Sequence, residues 1–99
     1  MPAYMIVNID VADPAAYEEY KAKAPALIKK HGGKYIVRGG KFTVWEGDWK
    51  PTRLVVLEFP SAAAGQAFYD DPEYQPMKAL RQRVAKTDAV LVEGLDVPI

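Results

Sequence analysis

His31-Gly32-Gly33-Lys34-Tyr35-Ile36-Val37-Arg38-Gly39-Gly40, continuing as Lys41-Phe42-Thr43-Val44-Trp45-Glu46-Gly47-Asp48-Trp49, holds most of the glycines, the only histidine and both tryptophans. Gly32-Gly33 has the form of a helix end followed by a strand, because glycine alone takes the left-handed cap conformation without a Cβ clash. A strand is expected from Lys34 to Arg38. Gly39-Gly40 interrupts it, which suggests a bulge or the close approach of another backbone or a ligand, with Arg38 on the lip. The strand pattern resumes as Phe42 to Glu46, and after a turn-rich loop Arg53 to Phe59 is another strong strand. A hairpin with Glu46 opposite Arg53 would set Val44 against Val55 and Phe42 against Leu57, with Phe59 on the same face.

Outward from this centre, Ala3 to Val11 is nearly continuous in strand-forming residues, and Asp13-Pro14 supplies a cap followed by proline at the first helical position. Tyr17, Tyr20, Ala24, Leu27, Ile28 and His31 then recur at spacings of three and four, one face of a helix. Pro25 lies within it, so a kink or break is expected there. Ser61 caps a helix from Ala62 to about Asp70, with Ala63, Ala67 and Phe68 inward. Asp71-Pro72 repeats the cap-plus-proline signal before a second helical piece carrying Tyr74, Met77, Leu80, Arg81 and Val84, whose regular part starts near Pro76. Thr87 to Glu93 is the last strand, and Gly94 to Ile99 a loose tail.

The order strand, helix, strand, strand, helix, strand predicts an α+β ferredoxin-like split βαβ domain over residues 1–99, a four-stranded antiparallel sheet with its helices on one face. The other face is too apolar for water, so a homodimer that buries it is expected.

With 13 basic and 13 acidic residues and no charge runs, the chain has no electrostatic footprint for nucleic acid or an anionic membrane. It has no cysteine, hence no disulfide framework and no thiolate nucleophile, and no apolar run of membrane-spanning length. Cytoplasm is the expected compartment.

Taken together, the blocks His31 to Gly40, Glu46-Gly47-Asp48-Trp49, Arg53 to Ser61 and Asp71-Pro72-Glu73-Tyr74-Gln75 resemble the bacterial family known as domain of unknown function 1330, from the first strand to Gly94. The family looks like part of the dimeric α+β barrel group, which also contains cofactor-independent monooxygenases, muconolactone isomerases and haem-degrading oxygenases. The resemblance implies the fold and a dimer; it implies no reaction.

Arg38, Glu46 and Arg53 are ionisable groups on or beside core strands, where charge is costly unless paired. As a structural network they would brace the hairpin, Glu46 pairing with Arg53. As a site, Arg38 would grip a carboxylate or enolate oxygen while Glu46 acts as base or hydrogen-bond acceptor. Tyr17, Tyr69 and Tyr74, with Tyr20, are core or rim residues by type, and one or two of them can wall a small pocket and offer it a hydroxyl. His31 is the only imidazole available as base or ligand, though beside Gly32-Gly33 it is placed to cap helical carbonyls. One histidine without ligand spacing argues against a metal, and no cofactor is expected. The readings left open are a small cofactor-independent enzyme acting on an oxo- or hydroxy-substituted acid or ring, a non-catalytic small-molecule binder, and a structural dimer.

Overall fold

Ala3, Met5, Val7 and Ile9 at alternate positions drive the first strand into a sheet whose inner face is closed by helices. The computed structural model describes residues 1–96; the last part of the expected tail, with Pro98, lies outside them. Strand β1 (Ala3–Val11) is followed by helix α1 (Pro14–Lys30), strands β2 (Lys34–Arg38) and β3 (Leu54–Phe59), helices α2 (Ala62–Asp70) and α3 (Gln75–Val84), and strand β4 (Ala85–Glu93). The strands lie in the order β2-β3-β1-β4 and every neighbouring pair is antiparallel, the ferredoxin-like α+β arrangement.

Met5, Val7 and Ile9 of β1 and Val55, Leu57 and Phe59 of β3 point to the helix side, where they meet Tyr17, Ala24 and Ile28 of α1, Phe68 of α2, and Met77, Leu80 and Val84 of α3. Alternate residues face the other way, and there Ile6, Val37, Val90 and Val92 stand exposed. Among the described residues no helix covers that side.

Local chemistry sets the ends of α1 and the start of α2 as expected, whereas Asp71 closes α2 instead of capping α3, which starts behind Tyr74 without a side-chain cap. The Asp13 carboxylate accepts from the Ala16 N–H and the Ser61 hydroxyl from the Ala64 N–H, at 3.1 Å each. At the end of α1, Gly32 has φ +77°, its N–H donates to the Lys29 carbonyl, and the Gly33 N–H reaches back to Ile28. This is the Schellman closure.

Four expectations need correction. Helix α1 runs unbroken through Pro25, because its Tyr17, Ala24 and Ile28 face is anchored on both sides of the proline. Ala63 and Ala67 are exposed, while α2 turns Gly65 and Phe68 inward. The last strand starts at Ala85, directly from the end of α3. The largest change concerns the hairpin: Phe42 to Glu46 is not a strand, and Arg38, not Val44, lies opposite Val55, with Tyr35, not Phe42, opposite Leu57. Between β1 and β2, strand β3 is already paired on both edges, so its own chain has no vacant edge there to pair residues 42–46. Glu46 is consequently exposed in a long excursion and makes no ion pair with Arg53.

Candidate functional site

Arg38 reaches the helix side of the sheet through an irregularity. From Tyr35 opposite Leu57 the ladder passes to Val37 opposite Val56, so Ile36 is an extra residue. Strict alternation would put Tyr35 and Arg38 on opposite faces; the bulge puts them on the same one. The Arg38 guanidinium lies 4.3 Å from the centre of the Tyr35 ring, within cation–π range.

Arg53 is fixed just before β3. The Asn8 side-chain oxygen accepts from the Thr52 and Arg53 N–H groups at 2.9 and 3.2 Å, and the Arg53 carbonyl accepts from the Ile9 N–H at 2.9 Å. Its guanidinium packs against Gly39, and its Nε is buried without a hydrogen-bond partner. Arg81 comes from α3. It sits on the buried stripe with Met77, Leu80 and Val84 and is only 3% exposed, its guanidinium 5.9 Å from the Tyr20 ring centre.

These three arginines converge on a cavity of about 30 Å³ between the sheet and the helices, room for a water or two. Tyr17, Tyr20 and Tyr35 wall it, Lys21 stands beside them, and no aspartate or glutamate lines it. Lys21 is paired with Glu18 at 3.1 Å. None of the three arginines has an ion-pair partner among the described residues. Tyr17 and Tyr20 stack at 5.4 Å, and the Tyr20 hydroxyl is 2.6 Å from that of the fully buried Tyr74. Burial pushes the phenols of Tyr17, Tyr20 and Tyr35 above the ordinary tyrosine range. At neutral pH they are hydrogen-bond donors rather than bases.

The structure thus brings together Arg38, Arg53 and Tyr17 of the residues expected at a site, with Tyr74 behind them through Tyr20. Glu46, His31 and Tyr69 are not among the residues that line the cavity. His31 Nε2 is 2.7 Å from an oxygen of the buried Asp71, and Tyr69 carries the Lys78 ammonium 3.9 Å from its ring centre. Arg81, Tyr35 and Lys21 complete the site without having been singled out for it. An arginine within the apolar stripe Tyr74, Met77, Leu80, Val84 is a legible signal for Arg81. Tyr35 leaves none, since only the bulge brings it to Arg38. No group of three or more histidine, cysteine, aspartate or glutamate residues is placed to hold a metal ion among the described residues.

A family model, "Domain of unknown function (DUF1330)", matches residues 2–95. No curated protein matches the chain by sequence. Among solved structures, the chain resembles RPA0582, a protein of unknown function from Rhodopseudomonas palustris, at 23% identity over 97% of this chain and 84% of that one, with a TM-score of 0.74. It also resembles SnoaB, a cofactor-independent oxygenase from Streptomyces nogalater, at 13% identity over 97% and 95% of the two chains (TM-score 0.65). A third is a dimeric ferredoxin-like protein of unknown function from Jannaschia sp. CCS1, at 15% identity over 95% and 100% (TM-score 0.63). At these identities the likeness shows the fold.

Proposed function

The chain belongs to the DUF1330 family, and from that premise we propose that it is a cytoplasmic homodimer that binds a small organic acid without a cofactor. The acid's carboxylate docks at the mouth of the cavity between helices and sheet, whose interior of about 30 Å³ holds no more than a water or two. One observation carries this reading: three arginines without ion-pair partners and no carboxylate line a single cavity, in a chain whose total charge is balanced. Arg81 is buried and Arg53 half-buried; cations so placed without counterions are costly, and an anionic ligand offsets that cost with charge-assisted hydrogen bonds. Arg38 at the mouth offers a planar fork to a carboxylate or enolate, and the free Nε of Arg53 offers a further donor.

The same lining bears on chemistry. Phenols held protonated and guanidiniums supply donors for a developing oxyanion, but the cavity of one chain contains no base, because Glu46 stands outside it. Ligand binding is therefore the primary reading. Cofactor-free turnover, the activity named for SnoaB, is the second, favoured by this concentration of oxyanion-stabilising donors. Homodimerisation is supported by the uncovered apolar face and the dimeric ferredoxin-like neighbour; cytoplasmic residence rests on the absence of cysteine.

A calorimetric screen of small carboxylic acids against size-matched neutral amides and amines tests the binding reading. Acids should bind and the neutral and cationic analogues should not. Arg38→Ala should weaken acid binding by about 2–3 kcal/mol, the worth of a charge-assisted hydrogen bond, with an unchanged melting temperature because Arg38 is exposed. A variant that melts far lower while binding acids as before would instead make Arg38 a structural brace.

A further inference from the structure

Edge strand β4 leaves its helix side partly open. The register sets Thr87 opposite Ile9, Ala89 opposite Val7 and Leu91 opposite Met5. Met5, Val7 and Ile9 face the helices, so Thr87, Ala89 and Leu91 do as well. Ala89 is nevertheless exposed, and Leu91 is 39% exposed. Helices α2 and α3 stand off this edge and leave a groove in two halves, which share Tyr69 and Ala89 as walls.

The halves differ in chemistry. Beside α2 the groove measures about 260 Å³ and runs over Met5, Gly65 and Leu91, an apolar bed. Beside α3 it widens to about 420 Å³ next to Arg81, Gln82 and Thr87. Two features of this wide half suit an anion. Arg81 is 3% exposed and has no ion-pair partner among the described residues, and no aspartate or glutamate lines either half. The Thr87 hydroxyl oxygen is buried without a hydrogen-bond partner. A hydroxyl left so is costly, and one step of its χ1 angle turns it to the groove. Exposed Lys86 adds a further positive charge at this end.

The geometry points to a second ligand site: the groove between β4 and helices α2 and α3 takes a medium-chain carboxylic acid, its carboxylate beside Arg81 and Thr87 and its chain along Leu91 toward Gly65. The narrow half alone would accept any apolar body and the wide half any small anion; a groove continuous through both selects a molecule that is both. Charge fixes the orientation, because the only cations on the walls stand in the wide half. Length agrees, since four residues of strand from Thr87 to Leu91 span about 13 Å, roughly an extended acid of eight to ten carbons. The site lies at the opposite edge of the sheet from β2, whose Arg38 stands at the mouth of the cavity. It is also on the helix side, so a dimer that buries the open face leaves it accessible. Arg81 borders cavity and groove alike, and five N–H donors on one guanidinium suffice for both.

Octanoate titrated into the ¹⁵N-labelled chain tests this, each site being read at its own amides. The expected result is saturable shifts at Gly65, Gln82 and Ala89. 1-Octanol, which brings the chain without the charge, should bind there at least about tenfold more weakly, the worth of a hydrogen bond to a charged group. Ala89→Trp fills the junction of the two halves, and Gln82→Glu sets a carboxylate beside Arg81 from an exposed position of α3. Each should raise the octanoate dissociation constant at least about tenfold while leaving the response of the Arg53 amide to acetate unchanged; if one variant fails to fold, the other decides. No saturable shift at the groove amides, octanol binding as tightly as octanoate, or a dissociation constant unchanged in the folded variants overturns the groove site. Acetate shifts at Arg38 and Arg53 without octanoate shifts in the groove would leave the cavity reading standing alone. The reverse pattern would leave the groove standing and remove the cavity reading.

Discussion

Gly39 is the residue on which the site turns. It has φ +71°, and a Cβ there would collide with the Arg53 guanidinium. Gly40 next to it has neither constraint, with nothing within 4 Å of an added Cβ. The sequence shows the two as an equivalent pair, yet only one is required. Gly39→Ala should cost about 1–2 kcal/mol for the left-handed backbone alone and should also displace Arg53, weakening acid binding. Gly40→Ala should stay within about 0.5 kcal/mol of the parent. Urea unfolding and the calorimetric screen on both variants check this, and equal losses at the two positions would remove Gly39 from the site. The bulge at Ile36 acts on the same small scale. One extra residue turns Arg38 from the open face of the sheet to the cavity.

At the scale of elements, the end of α1 is clamped to the corner between α2 and α3. Asp71, buried at that corner, accepts from His31 Nε2 at 2.7 Å, from the Lys30 ammonium at 2.9 Å and from the Glu73 N–H at 2.9 Å. His31 also lies edge-on to Phe68, 6.2 Å between ring centres. These partners, His31 first, hold the Asp71 carboxyl well below the usual carboxylate range. A carboxyl depressed in the folded state stabilises the fold fully above its ordinary value of 3.8, and that stabilisation fades as pH falls toward the depressed value. Stability of the parent should therefore decline on acidification below about pH 4–5 more steeply than that of Asp71→Asn, measured as urea midpoints across a pH series. Coincident slopes would show that the clamp carries no weight. His31 is bound into this junction and away from the cavity, which is why a lone histidine after an amphipathic helix marked an interelement contact here.

For the whole molecule, the uneven covering of the sheet sets the expectation. One face is closed by three helices; the other shows Ile6, Val37, Val90 and Val92, and the segment between β2 and β3 adds Phe42, Val44, Trp45 and Trp49. A chain of 11.0 kDa buries only somewhat over 60% of its unfolded surface, so an exposed apolar area of this kind is a large share of what it has to gain. Light scattering should give twice the chain mass at micromolar concentration, and the melting temperature should rise with protein concentration, as it does when folding and association are linked. A mass near 11.0 kDa with a concentration-independent melt would contradict it.

By itself the sequence determined the element order, the Asp13 and Ser61 caps, the apolar stripes of α1 and α3 and hence the ferredoxin-like class. These depend on neighbours three or four residues apart or on alternate residues, a range over which side-chain chemistry dictates backbone form. It also placed an uncovered apolar face on one side of the sheet, since alternation tells the two faces apart. Only the tertiary structure decided which residues lie opposite one another. Phe42 to Glu46 has good strand character, but pairing needs a vacant edge, and β3 had none left once Lys34–Arg38 and β1 had taken both. Register in turn decided the site: the bulge at Ile36 gathered Tyr35 and Arg38 on one face, and α3 delivered Arg81 from more than forty residues away. A shift of one residue in a strand exchanges its two faces, and that shift is settled by contacts between distant segments rather than by the segment's own composition.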